Sequence, residues 1–276
     1  MSDKRKWDAG EQRQRDIERS IVKKFRKEIW CRFTKAINEY ELIQDGDKIA
    51  VCVSGEKDSM LMAKLFQEIL RHGQKNFEAV YLVMNPGHNE ENHQLIQDNA
   101  ELLGIPVTII PSQTFDETLK EARGMGCNKI ALGNHFDDVI ETILMGMLYG
   151  AKIQTMMPKL HSKDVEGLEL IRPLCLVRED DIIHWEKYNG LQFVHCDDSF
   201  TRSFGNSANT ENKANRHEIK KLIHDLREKS PYIEKNIFRS VENVNLSTIV
   251  AYKKDGVKHH FLDAYETENQ EKGGTR

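Results

Sequence analysis

Residues 48–73 read KIAVCVSGEKDSMLMAKLFQEILRHG, and the reading of this stretch decides the fold. KIAVCV is a short continuous apolar run, the composition of a central parallel strand covered on both faces. From Asp58 onward, Met62, Leu65, Phe66 and Ile69 fall in helical register, with Asp58 or Ser59 available as N-cap and Gly73 placed to end the helix. Between strand and helix stands SGEKDS, residues 54–59. At such a corner the backbone N–H groups and the positive end of the helix dipole form an anion site. Lys57 adds a mobile cation, and the Ser54 and Ser59 hydroxyls can donate further hydrogen bonds. The spacing is not the Walker pattern G-x-x-x-x-G-K-S/T, because one residue separates Gly55 from Lys57. Taken by itself the turn reads equally well as an ordinary capped corner.

Working outward, strand and helix patterns alternate. FEAVYLVMN (77–85) reads as a strand, a helix follows from about Glu90 to Leu103, and PVTIIP (106–111) reads as a strand again. DETLKEARG (116–124) is helical, NKIALG (128–133) a strand, and DDVIETILMGMLYG (137–150) a helix. This alternation implies βαβ units and an α/β fold, a doubly wound parallel sheet with helices on both faces. Ligands of such sheets sit beyond the carboxyl ends of the strands, where SGEKDS and GNHFDD (133–138) both fall. Upstream, Ile17, Ile21, Val22, Phe25, Ile29, Phe33 and Ile37 describe an amphipathic helix with a basic outer face, either solvated or a nucleic-acid arm. Downstream, NTENKANRHEIKKLIHDLREKSP (209–231) reads as a helix with a basic face through Lys213, Arg216, Lys220, Lys221 and Arg227. The organisation read from these patterns is an N-terminal helix (1–45), an α/β domain (46–200) and a C-terminal helical extension with a tail (201–276).

Composition narrows the class without fixing the function. The chain has 276 residues, 39% of them hydrophobic, enough for one large α/β domain. The formal charge of −4 argues against a uniformly basic nucleic-acid surface, although the segment Lys4 to Lys35 is locally basic. No run of eighteen apolar residues occurs and the N-terminus lacks an apolar signal segment, so a cytoplasmic protein without a membrane partner is expected. The five cysteines, Cys31, Cys52, Cys127, Cys175 and Cys196, form no C-x-x-C pair, which argues against a disulfide framework or a zinc ribbon. Cys31, Cys52 and Cys175 lie in apolar patterns and read as core residues.

SGEKDS resembles the S-G-G-K-D-S loop of the PP-loop ATPases, the adenine nucleotide alpha hydrolases, which split ATP to AMP and pyrophosphate while adenylating a substrate. KIALGNHFDDVIETILMGMLYG (129–150), TMMPKL (155–160), IRPL (171–174) and VREDDI (177–182) resemble the subgroup that makes 2-thiocytidine in tRNA, and the resemblance runs from about Lys23 to Tyr265. It implies that Ser54, Gly55, Glu56, Lys57, Asp58 and Ser59 cradle the pyrophosphate part of ATP, with Lys57 and Asp58 catalytic. Met84 and Asn85 would lie near the adenosine. Gly133, His135, Asp137 and Asp138 would form a second wall, the two aspartates near Mg²⁺ or merely capping their helix. Arg172 would contact phosphate or substrate, or serve in an ion pair. In the implied chemistry a carbonyl oxygen attacks the α-phosphorus, pyrophosphate leaves, and a sulfur or nitrogen nucleophile then displaces AMP.

Departures from the family pattern bear on the second half of that reaction. The two C-x-x-C motifs that hold an iron–sulfur cluster in the thiocytidine enzymes are absent together with the Arg-rich segment, so no cluster of that type is expected. FVHCDDSF (193–200) keeps only Cys196, which reads either as a persulfide-carrying sulfur donor or as a small packed side chain. Glu56 stands where the family has glycine. A left-handed backbone there would cost roughly 1–2 kcal/mol, and a carboxylate about 6 Å from a phosphate about 3 kcal/mol at an effective dielectric of ~20. Both penalties shrink if the backbone is not left-handed and the side chain points to solvent; a place in the Mg²⁺ shell is the alternative. The function expected on these grounds is ATP-dependent activation of an amide-like carbonyl for thioamide formation on a small-molecule or carrier-protein-bound substrate. Thiolation of tRNA without the usual cluster and a nucleotide-binding module with little catalysis are the alternatives. A homodimer is implied by the relatives alone.

Overall fold

The computed structural model describes residues 8–73, 75–84, 90–112, 114–194, 210–263 and 265. Six strands, β1 (Lys48–Val53), β2 (Glu78–Met84), β3 (Val107–Ile110), β4 (Lys129–Ala131), β5 (Lys159–His161) and β6 (Glu169–Ile171), form one sheet in the order β3-β2-β1-β4-β6-β5. β1 pairs in parallel with β2 and β4, β2 with β3, and β4 with β6. The expected parallel sheet therefore gains an antiparallel edge, since β5 runs against β6. Its cause is the short connection between them, which turns at Gly167 (φ +74°) and leaves no length for a crossover.

Every residue from Ile49 to Val53 is buried, as a strand covered on both faces requires. Ala50 and Cys52 join Leu82, Met84, Ile130 and Leu132 in one core, closed by Leu119 and Ala122 of the helix Phe115–Gly124. The alternate residues of β1 point to the opposite face, and the helix that follows it, Lys57–His72, packs against the strand. Because the chain leaves β1 toward β2 on one side and β4 lies on the other, the sheet has its switch point between β1 and β4.

The helices of the first part of the chain are α1 (Ala9–Arg19), α2 (Cys31–Glu39), α3 (Lys57–His72), α4 (Glu90–Leu103), α5 (Phe115–Gly124), α6 (Phe136–Leu148) and α7 (Glu179–Tyr188). α1 and α2 are joined by two π-helical turns, Ser20–Lys24 and Arg26–Trp30, that meet at Phe25. The apolar repeat explains them. Residues 17, 21, 25, 29, 33 and 37 recur every fourth position and all are buried, whereas an α-helix of 3.6 residues per turn would rotate such a stripe by about 40° per step. Wider π turns, closed by Phe25 N–H to Ser20 O (2.9 Å) and Trp30 N–H to Phe25 O (3.3 Å), take up the drift. Cys31 is exposed, contrary to its expected place in the core, because it falls between stripe positions 29 and 33. This N-terminal segment buttresses α3: Lys64 Nζ is fully buried, 2.8 Å from Glu18 and 2.7 Å from the Leu103 carbonyl oxygen.

Contacts divide the chain into two units, Met1–His224 and Asp225–Arg276, so the boundaries drawn from sequence at 45/46 and 200/201 both fall inside the first. α8 (Thr210–Lys229) runs across the division. The second unit holds α9 (Ile233–Ser240) and a two-stranded hairpin of β7 (Ala251–Lys254) and β8 (Val257–His260). The hairpin departs from the expected helical extension. Asp255 (φ 51°) and Gly256 (φ 81°) form the tight Asp-Gly turn whose two left-handed residues match strand twist.

Candidate active site

β1 ends at Val53, and the next three residues turn the chain into α3. Gly55 takes φ +85°, and an added Cβ there would lie 2.4 Å from Ile96, so both backbone and space demand glycine. Glu56, the N-cap, has φ −77° and ψ 157°. The left-handed residue is thus Gly55, and the backbone penalty considered for Glu56 does not arise. The condition on its side chain is not met, because Glu56 is buried and lines the crevice. Ser59 closes the turn: its hydroxyl donates to the Glu56 carbonyl oxygen (3.0 Å), accepts from Ser54 N–H (3.1 Å) and lies 3.0 Å from the Ser54 hydroxyl. The two serines therefore shape the loop as well as facing the crevice.

The second wall comes from the end of β4. Gly133 approaches α3 so closely that a Cβ would lie 3.3 Å from Ser59 N. Asn134 accepts from Arg172 Nε (3.2 Å), and Arg172 Nη1 donates to the Met157 carbonyl oxygen (2.6 Å), bracing this loop against the segment before β5. Burial lowers the Arg172 pKa to about 10 against the opposing pull of Cys175 and Asp138. His135 caps α6 reciprocally with Asp138: His135 N–H donates to Asp138 Oδ2 (3.1 Å) and Asp138 N–H to His135 Nδ1 (3.4 Å). Ser54, Glu56, Asp58, Ser59, Gly133, Asn134 and Asp138 enclose a crevice of about 10 Å³, the room of about one water.

Three helices present their N-termini here, α3, α6 and α7. Lys57 Nζ lies 2.9 Å from Glu179 Oε1, at the first residue of α7, and 3.2 Å from Asp58 Oδ2. Glu179 N–H donates to Asp137 Oδ2 (2.7 Å), which ties the start of α7 to α6. His135 is fully buried within 4.0 Å of four carboxylates, Asp58, Asp137, Asp138 and Glu179. Burial alone would lower its pKa, but Asp138, Asp58, Glu179 and Asp137 together raise it. Burial likewise opposes ionisation of Glu179, yet His135, Lys57 and Lys220 hold it down at about 2. The result is a corner of positive helix ends and an ammonium set against carboxylates that ring the His135 imidazole, and in which a phosphate can replace a carboxylate.

From this corner an ionic chain reaches α8. Lys220 Nζ lies 4.0 Å from Glu179 and 3.6 Å from Glu141, and Arg216 Nε lies 3.6 Å from Glu141. The basic face of α8 is therefore divided, with Arg216 and Lys220 turned toward α6 and α7 and Lys221 exposed. Met84 ends β2 in the core, its sulfur accepting from the Thr118 hydroxyl (2.7 Å). Asn85 and Cys196 lie outside the described residues. Cys52 is buried, which pushes its thiol up to about 12, with Cys127 adding to the shift. Among the described residues no group of three or more His, Cys, Asp or Glu side chains is arranged to hold a metal. Sequence reasoning missed Glu179, Asn134 and Glu141. The stretch VREDDI contained the signal for Glu179, an acidic residue in a first helical turn, but not its partner 122 residues away.

A family model described as a PP-loop domain matches residues 25–223. A tRNA-cytidine(32) 2-sulfurtransferase of Bdellovibrio bacteriovorus is 30% identical over 259 residues, covering 85% of this chain and 93% of the relative. One of the same name from Hahella chejuensis is 30% identical over 284 residues, covering 93% and 94%. Among solved structures, the U34-tRNA thiolase NcsA of Methanococcus maripaludis, described with its 4Fe-4S cluster, is similar in fold: TM-score 0.57, 19% identity and 76% of each chain covered.

Proposed function

The chain belongs to the PP-loop family, and from that premise we propose that it uses ATP to adenylate a base carbonyl of tRNA and replaces that oxygen with sulfur. The observation that carries the ATP half is Lys57, held at the N-terminus of α3 by Glu179 and Asp58 beside the crevice between the β1 and β4 loops. The small-molecule or carrier-bound acceptor expected from the missing cysteines has no support among the relatives, whose names specify tRNA. Thiolation of tRNA is the better reading.

In this reading the triphosphate takes the backbone N–H groups of the 54–59 turn, and Lys57 exchanges Glu179 for phosphate. The carbonyl oxygen of the base attacks the α-phosphorus and pyrophosphate departs with its electron pair. The sulfur of a hydrosulfide ion then adds to the activated carbon and loses its proton, and AMP departs with the oxygen and the electron pair of the broken C–O bond. Asp58 and Asp138, which line the crevice, suit Mg²⁺ accompanying the nucleotide, where it would offset phosphate charge. Asp137 is already engaged by the N–H of Glu179. Among the described residues the cysteines do not gather into a cluster site.

The test is release of AMP and pyrophosphate from Mg-ATP with and without bulk unmodified tRNA, followed by nucleoside analysis after addition of sulfide. Release is expected to be stimulated by tRNA, to yield a thiolated nucleoside, and to fall at least about a hundredfold in Lys57→Ala. Lys57-dependent release indifferent to tRNA would sink the tRNA assignment and return the small-substrate reading.

A further inference from the structure

The hairpin of the second unit has a charge pattern that its own fold does not explain. Lys253 and Lys258 are direct cross-strand partners, as are Tyr252 and His259. Like charges placed opposite one another destabilise a strand pair, and an isolated two-stranded hairpin is marginal to begin with. Residues 251–260 nevertheless carry three lysines against one aspartate, and all three lysines are exposed. On the opposite face the rings of Tyr252 and His259 stack at 4.9 Å and 19°, with Lys254 two residues along the strand. Beyond β8, Phe261 and Tyr265 meet edge to face at 6.2 Å and remain about half exposed. The Asp255-Gly256 turn and the Phe261 N–H to Val250 O bond (3.0 Å) fix the geometry, so these groups are presented on a formed element.

We propose that this hairpin is an RNA-contacting surface, Lys253 and Lys258 straddling a phosphate and Tyr252 with His259 offering a stacking platform to an unpaired base. A polyanion relieves the paired ammonium groups. The part-exposed rings on the opposite face, with Lys254 two residues along, give the hairpin π-faces as well as cations, so it selects a partner that brings both π-faces and negative charge, which single-stranded segments of RNA do and phospholipid headgroups do not. The inference rests on the tRNA reading above and adds to it a surface outside the residues of the ATP corner.

The experiment titrates labelled bulk unmodified tRNA with the full-length protein, followed by fluorescence anisotropy at several salt concentrations. Wild type is compared with Lys253→Gln/Lys258→Gln and with Tyr252→Ala. The double variant is expected to bind about tenfold more weakly, with a salt slope lower by about 1.5 to 2. Its melting temperature should hold or rise, since like charges have been parted, which a structural role for the lysines would not give. Tyr252→Ala should weaken binding about tenfold with the salt slope unchanged. Pyrophosphate release without tRNA should match wild type in both variants and so reports intact folding.

If wild type binds tRNA and both variants bind as tightly, the hairpin inference alone is overturned. If wild type does not bind tRNA at all, the functional reading fails with it. Phosphatidylserine vesicles serve as the third arm. Binding to them that the double variant loses, while tRNA binding is kept, assigns the hairpin to membrane surfaces and overturns the RNA assignment.

Discussion

At the scale of single residues, Glu56 is the position where conformation and charge part company. Its backbone is extended, so the residue costs the turn nothing in φ, and Gly55 next to it absorbs the left-handed corner. What remains is a carboxylate buried in the wall of the crevice where the phosphates are proposed to bind. Glu56→Gln keeps the shape and removes the charge, and it should tighten ATP binding by about ten- to a hundredfold, the factor that about 3 kcal/mol of repulsion at most would give. Calorimetric titration with a non-hydrolysable ATP analogue checks this; unchanged affinity would mean that the carboxylate does not oppose the nucleotide. The sequence made Ser54, Gly55, Lys57, Asp58 and Ser59 legible because a strand-to-helix corner is written in one local stretch. Glu179 was not, since nothing local to an acidic helix start says which cation it faces across the fold.

The elements were legible to the extent that their periodicity was strong. The β1–α3 unit and the helices 90–103 and 115–124 follow the patterns read from sequence nearly residue for residue. β5 and β6, three residues each, have no periodicity to read and exist through pairing with the sheet edge. The hairpin was overlooked for another reason: two runs carrying lysine and histidine do not look like strands, although Asp-Gly between them is a strong turn signal. For the corner itself, Gly55→Ala adds a methyl group at 2.4 Å from Ile96 in a left-handed backbone. It should cost about 2–5 kcal/mol from strain plus overpacking, seen in denaturant unfolding. A loss below 1 kcal/mol would mean that the loop and α4 move apart easily.

At the scale of the whole molecule, charge buried between helices makes stability depend on pH. Burial and the nearby Asp138 push the Glu141 carboxyl up to about 7, against the pull of Lys220 and Arg216. Between the ordinary value of 4.5 and about 7, the unfolded chain has released this proton while the folded chain retains it. Stability must therefore fall as pH rises through that window, by on the order of 3 kcal/mol. His135 adds to the fall above 6.5, because its raised pKa contributes stability that is lost once the imidazole deprotonates. Glu179 acts at the other end, its lowered pKa giving stability above 4.5 that is lost as pH falls toward about 2. Melting temperatures of wild type and Glu141→Gln from pH 5 to 8 check the balance. The variant should show a shallower decline and exceed wild type at pH 8; parallel curves would remove Glu141 as the cause.

If Lys57 binds phosphate as proposed, its ion pair with Glu179 is a resting position, and an arriving nucleotide would compete with a resident carboxylate for the same ammonium. A triphosphate, with its greater charge, would then displace that carboxylate more readily than a monophosphate does. Once pyrophosphate had left, Glu179 would recapture the lysine, and the same contact would favour release of AMP.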